Sequence, residues 1–116
     1  MTAKSLQVMV SREGDVTVVR LSGPVDSEYI EVFKEKMDPV AAVPQARVLL
    51  DCTELTYLNS RAIGLLLKYY RQIGHTLGKF VLLGVDKKMV RTLDLLHLGK
   101  ELLIYGSREE ALAALR

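Results

Sequence analysis

The chain has 116 residues, with 16 Lys and Arg against 14 Asp and Glu, for a formal net charge of +2. That length suits one domain, and 49% hydrophobic residues supply the apolar surface for a single core. The near-balance of charge excludes the bulk basic excess of a nucleic-acid binder, and no apolar run approaches the ~20 residues that cross a bilayer, so no membrane insertion is expected.

Leu6, Val8 and Val10 alternate with other residues, Glu13-Gly14-Asp15 offers a turn, and Val16, Val18, Val19 and Leu21 follow. The pattern predicts two strands in an antiparallel hairpin. Ser22-Gly23-Pro24 is expected to end the second strand, because proline donates nothing to a ladder. Asp26 or Ser27 then caps a helix, with Ile30, Phe33 and Met37 on one face and Pro39 and Pro44 at its exit. Val48-Leu49-Leu50 reads as a strand covered on both faces, closed by Asp51. Cys52 follows as the single cysteine, which makes neither an internal disulfide nor a zinc site alone. It reads as a buried thiol in a reducing compartment. With no apolar signal segment between Met1 and Asp15, a cytoplasmic location is expected.

Asn59 or Ser60 caps a long second helix predicted to run to about Ile73 and end at Gly74. Phe80 to Leu83 is the next buried strand. Asp86 opens a helix carrying Met89, Val90, Leu93 and Leu96, and Leu102 to Tyr105 is the last strand. Ser107 and Glu110 have capping-box spacing ahead of Ala111, Leu112 and Leu115. The predicted order is β-β-α-β-α-β-α-β-α. The fold class is α/β, a single domain over residues 1–116 with a mixed, mostly parallel sheet and its first strand antiparallel.

Several fragments, in this order and spacing, resemble the STAS family, named for sulfate transporters and anti-sigma factor antagonists. Leu21-Ser22-Gly23-Pro24-Val25-Asp26 is similar to the family's L-x-G-x-[LV]-D turn. Val48 to Leu58 resembles its buried strand and following loop. Asn59-Ser60-Arg61-Ala62-Ile63-Gly64 falls where the family carries D-S-[ST]-G-[LI]-G, and Leu98-Gly99, Ile104-Tyr105 and Ala111-Leu112 follow its C-terminal pattern. The resemblance implies a partner-switching regulator with no catalytic residues, metal or cofactor. Its partners would be an anti-sigma factor that is also a serine kinase, and a phosphatase. Ser60 matches the phosphorylated serine, and the matching aspartate Asp26 lies near the phosphosite and docking surface. Asn59, Arg61 and Ala62 depart from the motif, and Arg61 would suit a more acidic partner.

Helical spacing puts Arg61, Gly64, Lys68, Gln72 and His75 on one stripe of the second helix and Ala62, Leu66, Tyr69 and Ile73 on the opposite side. The expected partner-binding set is Asp26, Asn59, Ser60, Arg61, Gly64, Leu65 and Lys68, on a monomer or weak dimer that binds no nucleic acid directly. Two other readings remain open. One is an unphosphorylated STAS subunit of an ABC-type transporter or signalling assembly. The other is a phosphoacceptor receiver domain using Asp51. His75 and His97 have no ligand spacing, and no Gly-rich phosphate loop or G-x-S-x-G elbow is present.

Overall fold

The computed structural model describes residues 5–97 and 101–116. Strands β1 (Gln7–Glu13) and β2 (Val16–Val25) form the expected antiparallel hairpin, turned at Gly14, whose φ of +60° suits glycine. Then come α1 (Ile30–Ala41), β3 (Arg47–Leu58), α2 (Ser60–His75), β4 (Lys79–Leu83), α3 (Lys87–Leu95), β5 (Leu103–Tyr105) and α4 (Arg108–Ala114). The five strands lie side by side in chain order, and every pair after β1–β2 is parallel. This is the predicted α/β architecture in the predicted element order. The Leu98-Gly99 fragment lies outside the described residues.

The sheet separates two apolar layers. Side chains alternate along a strand, so Val48, Leu50 and Cys52 of β3 face α1, α2 and α3, where they meet Phe33, Met37, Leu66, Tyr69 and Leu93. Leu49, Val81 and Leu83 face the other way, against Ala111 and Leu115 at α4. Three helices therefore cover one face of the sheet and one helix covers the other.

Four boundaries differ from the sequence reading. Pro24 does not end β2, which runs on to Val25. The last β1–β2 pair is Gln7–Ser22, so Pro24 sits beyond the ladder in which its N–H would be missed. Pro39 lies inside α1, which ends two residues later, with Pro44 beyond it. Asp51 does not close β3; the strand continues to Leu58. Gly74 does not end α2. The left-handed residue is Leu77 (φ +64°), whose N–H bonds Gly74 O at 3.0 Å while the Gly78 N–H bonds Ile73 O at 2.9 Å. That pair of bonds is a Schellman ending one turn later than glycine placement suggests.

Candidate functional site

The parallel strands β2 and β3 end side by side, at Val25 and Leu58, and each feeds a helix on the same face. The Asn59 N–H bonds Val25 O at 3.1 Å, tying the two exits together. The Asn59 side chain works in both directions. Its Oδ1 accepts the Ala62 N–H at 2.9 Å, capping α2, and its Nδ2 donates to Ser27 Oγ at 3.3 Å. Of the two cap candidates, Asn59 is the cap and Ser60 is the first helical residue.

Asp26 and Ser27 do not cap α1. The helix starts at Ile30, and its N-cap position is Tyr29, which has no side-chain cap bond. Asp26 Oδ1 instead accepts the Glu28 N–H at 3.0 Å and Asp26 O accepts the Tyr29 N–H at 3.1 Å, a turn closed by the aspartate itself. This turn holds Ser27 against Asn59. Asp26, Ser27, Asn59 and Ser60 therefore belong to one end of the domain. The sequence offered Ser27 only as a cap for α1; its contact with Asn59, 32 residues away in the chain, has no local signal.

Ser60 is exposed, as are Arg61, Gly64 and Lys68. Ala62, Leu66, Tyr69 and Ile73 are buried, so the two stripes of α2 separate as their spacing requires. Leu65 is only half available, since it packs partly against the core. Lys68 Nζ stands 5.7 Å from the centre of the Tyr69 ring. Tyr69 anchors α2 to α1: its ring meets Phe33 edge-on at 5.9 Å, and its hydroxyl donates to Asp38 Oδ1 at 2.6 Å. Burial and the Asp38 carboxylate push the Tyr69 hydroxyl pKa up.

Electrostatically, the α2 entrance is open to an anion. The first N–H groups of a helix have no partner within it, and the dipole there is positive. Asn59 and its carbonyl already occupy the Ala62 and Ile63 N–H groups. The Ser60 and Arg61 N–H groups remain, next to the Ser60 hydroxyl, and the first turn carries no acidic residue.

Asp51 is a different kind of site. It is buried, and its Oδ1 accepts both the Thr53 N–H at 3.0 Å and the Thr53 hydroxyl at 2.7 Å. A receiver aspartate would stand free at a strand end, in a sheet ordered 2-1-3-4-5. Here it lies mid-strand, with its carboxylate engaged, in a sheet ordered 1-2-3-4-5.

One feature near the α2 entrance had no signal in the sequence: a groove of about 190 Å³ between the end of β3 and α3, whose lining includes Tyr57, Leu58, Ile63 and Met89, with Asp86 and Lys88 as its charged members. Tyr57 is 53% exposed. The β2–β3 register shifts between Leu55 and Tyr57, so strict alternation breaks: Leu55 and Leu58 are both buried while Tyr57 is exposed.

A small mixed sheet in chain order, flanked three-to-one by helices, is the architecture of the STAS class. The STAS domain profile matches residues 7–111, and the chain belongs to that family. It is similar to the anti-sigma F factor antagonist of Paenibacillus polymyxa, with 28% identity over 112 residues, 96% of each chain. Among solved structures, an anti-sigma factor antagonist from Mycobacterium paratuberculosis shares the fold with a TM-score of 0.86, at 24% identity over 97% of this chain and 95% of that one. The anti-sigma factor antagonist SpoIIAA in its unphosphorylated form has a TM-score of 0.73, at 25% identity over 97% and 96%.

Proposed function

We propose that this chain is a partner-switching regulator of the anti-sigma factor antagonist type. It docks an anti-sigma factor/serine kinase through the α2 entrance and is released by phosphorylation of Ser60. A phosphatase resets it. The observation that carries the reading is the exposed Ser60 at the first position of α2, beside two backbone N–H groups left over by the Asn59 cap. A relative, SpoIIAA, is known in unphosphorylated and phosphorylated forms.

Phosphorylation adds about −1.5 to −2 charges at pH 7. At the start of α2 that charge meets free N–H donors and the positive end of the helix, so the domain holds it without refolding. Arg61 adds a charge-assisted partner. A docked protein would meet the new charge at its interface, and release follows from repulsion and desolvation. Asp26, Asn59 and Arg61 at the entrance, with Gly64, Leu65 and Lys68 further along α2, complete the proposed surface. Asn59 performs the capping that the family's aspartate would perform, so its amide keeps the local geometry while removing one negative charge.

Incubation with the cognate kinase and ATP, followed by phosphopeptide mass spectrometry, tests this. Phosphate is expected on Ser60, with none taken up by Ser60→Ala. Phosphate elsewhere, with Ser60 untouched, overturns the reading.

A further inference from the structure

The net charge of +2 conceals a segregation along the helical layer. Over 26–41, the approach to α1 and α1 itself, five acidic residues stand against Lys34 and Lys36. Helices α2 and α3 carry Arg61, Lys68, Arg71, Lys87, Lys88 and Arg91 against a single acidic residue, Asp94. Asp86 caps α3 through the Met89 N–H at 2.8 Å. Of the six cations only Arg71 has an ion pair, with Glu101 at 3.4 Å, among the described residues. The residues outside the description, 1–4 and 98–100, contain no carboxylate side chain that could pair the others.

One of these cations borders apolar surface directly. Lys88 lines the groove beside Ile63 and Met89, and the one acidic group there, Asp86, already accepts the Met89 N–H as the α3 cap. Lys88, Arg91 and Leu95 fall at i, i+3 and i+7 and so share one face of α3. Leu95 is 75% exposed and Leu96 51%. Exposed leucines next to unpaired cations are costly to leave in water, and together they describe the centre and rim of an interface.

We infer that the α2–α3 face binds a protein surface rich in Asp and Glu that also offers an aliphatic or aromatic side chain to the groove between Leu58, Ile63 and Met89. This rests on the partner-docking reading of the same end of the domain and specifies the partner's chemistry. The groove is what favours a protein over a nucleic acid, whose backbone has phosphates but no aliphatic anchor. Over a membrane, it is favoured by the shortness of α3, nine residues with Asp86 and Asp94 at its two ends. Ser60 stands at the edge of this cationic field. A phosphate there cancels part of the attraction that brings an acidic partner in, which joins regulation to recognition.

The test uses the full chain and a fluorescein-labelled synthetic peptide of alternating glutamate and leucine with one phenylalanine. Anisotropy measures affinity, and ¹⁵N chemical shifts locate the contact. Binding is expected at low ionic strength, with shifts on α2 and α3, and it weakens as salt shortens the screening length toward roughly 8 Å. Lys88→Glu/Arg91→Glu is expected to weaken binding about tenfold, a small share of the range that electrostatic steering spans. Arg12→Glu/Lys36→Glu makes the same change in net charge at the far edge, on β1 and α1, and is expected to leave affinity unchanged.

Equal loss in both variants reduces the effect to bulk charge and overturns the inference. So do shifts confined to other elements, or tighter binding to an oligodeoxynucleotide of equal charge or to phosphatidylserine vesicles. Ser60→Glu separates the two proposals. Peptide binding that is unaffected by Ser60→Glu, with the α3 dependence intact, removes the switch and supports the acidic partner.

Discussion

Two glycines show opposite physical reasons for lacking a side chain. At Gly84 φ is +73° and an added Cβ would fall 2.4 Å from Thr53 Cγ2, so the fold itself requires glycine. At Gly64 the backbone is helical and a Cβ would meet nothing within 4 Å. Glycine in an exposed helix costs roughly 1 kcal/mol against alanine. Gly64→Ala should therefore raise stability by about that amount, read as a higher urea midpoint at an unchanged slope. The cost of keeping glycine there fits close approach by a partner backbone. Gly64→Arg should fold normally by circular dichroism and fail to bind the proposed anti-sigma factor partner; a soluble Gly64→Arg with undiminished binding would remove this face of α2 from the interface.

At the level of elements, the ends of α2 show what a sequence reveals and what it hides. Its start was legible because Asn59-Ser60 offers a cap directly ahead of a 3.6-residue apolar repeat, a purely local signal. Asn59→Ala should lower stability by about 1 kcal/mol, since the Ala62 N–H loses its partner. Asn59→Asp keeps that acceptor and should stay within about 0.5 kcal/mol of the native chain, the usual range for surface changes. The end of α2 was misread because Gly74 seemed the obvious stop. Glycine is needed instead at Gly78, where a Cβ would lie 2.5 Å from Ala46 O in the loop before β3. That long-range contact takes the glycine and leaves the left-handed position to Leu77, which is 80% exposed. Leu77→Gly should stabilise the domain by roughly 1 kcal/mol, the cost of a left-handed leucine, measured in the same denaturant series. The charge segregation between α1 and α2–α3 was present in the sequence too. It became visible only when the three helices were placed on one face of the sheet.

Across the whole molecule, nearly all of the described ionisable groups lie at the surface, and the buried interior holds the Cys52 thiol and the Tyr69 phenol along with one buried carboxylate, Asp51. Cys52 lies mid-sheet on β3, fully enclosed, with Sγ 3.7 Å from Leu50 O. Burial pushes its thiol pKa up, and the neighbouring Asp51 charge adds to the shift. Tyr69 is raised in the same direction by burial and Asp38. In the unfolded chain a thiol loses its proton near pH ~8.5 and a phenol near ~10. Below those values both states hold the proton and stability is at its full level. Above about 8.5 the unfolded chain has released the Cys52 proton while the folded chain retains it, so stability falls by up to about 1.4 kcal/mol per pH unit. A second decline from Tyr69 begins near ~10. Urea unfolding followed from neutral to alkaline pH should show the first decline in the native chain. In Cys52→Ala it should be absent, even though the cavity lowers that variant's stability at neutral pH. A native chain whose stability stayed flat through this range would mean that the thiol ionises as readily folded as unfolded, which a side chain sealed between the sheet and the helices over it does not do.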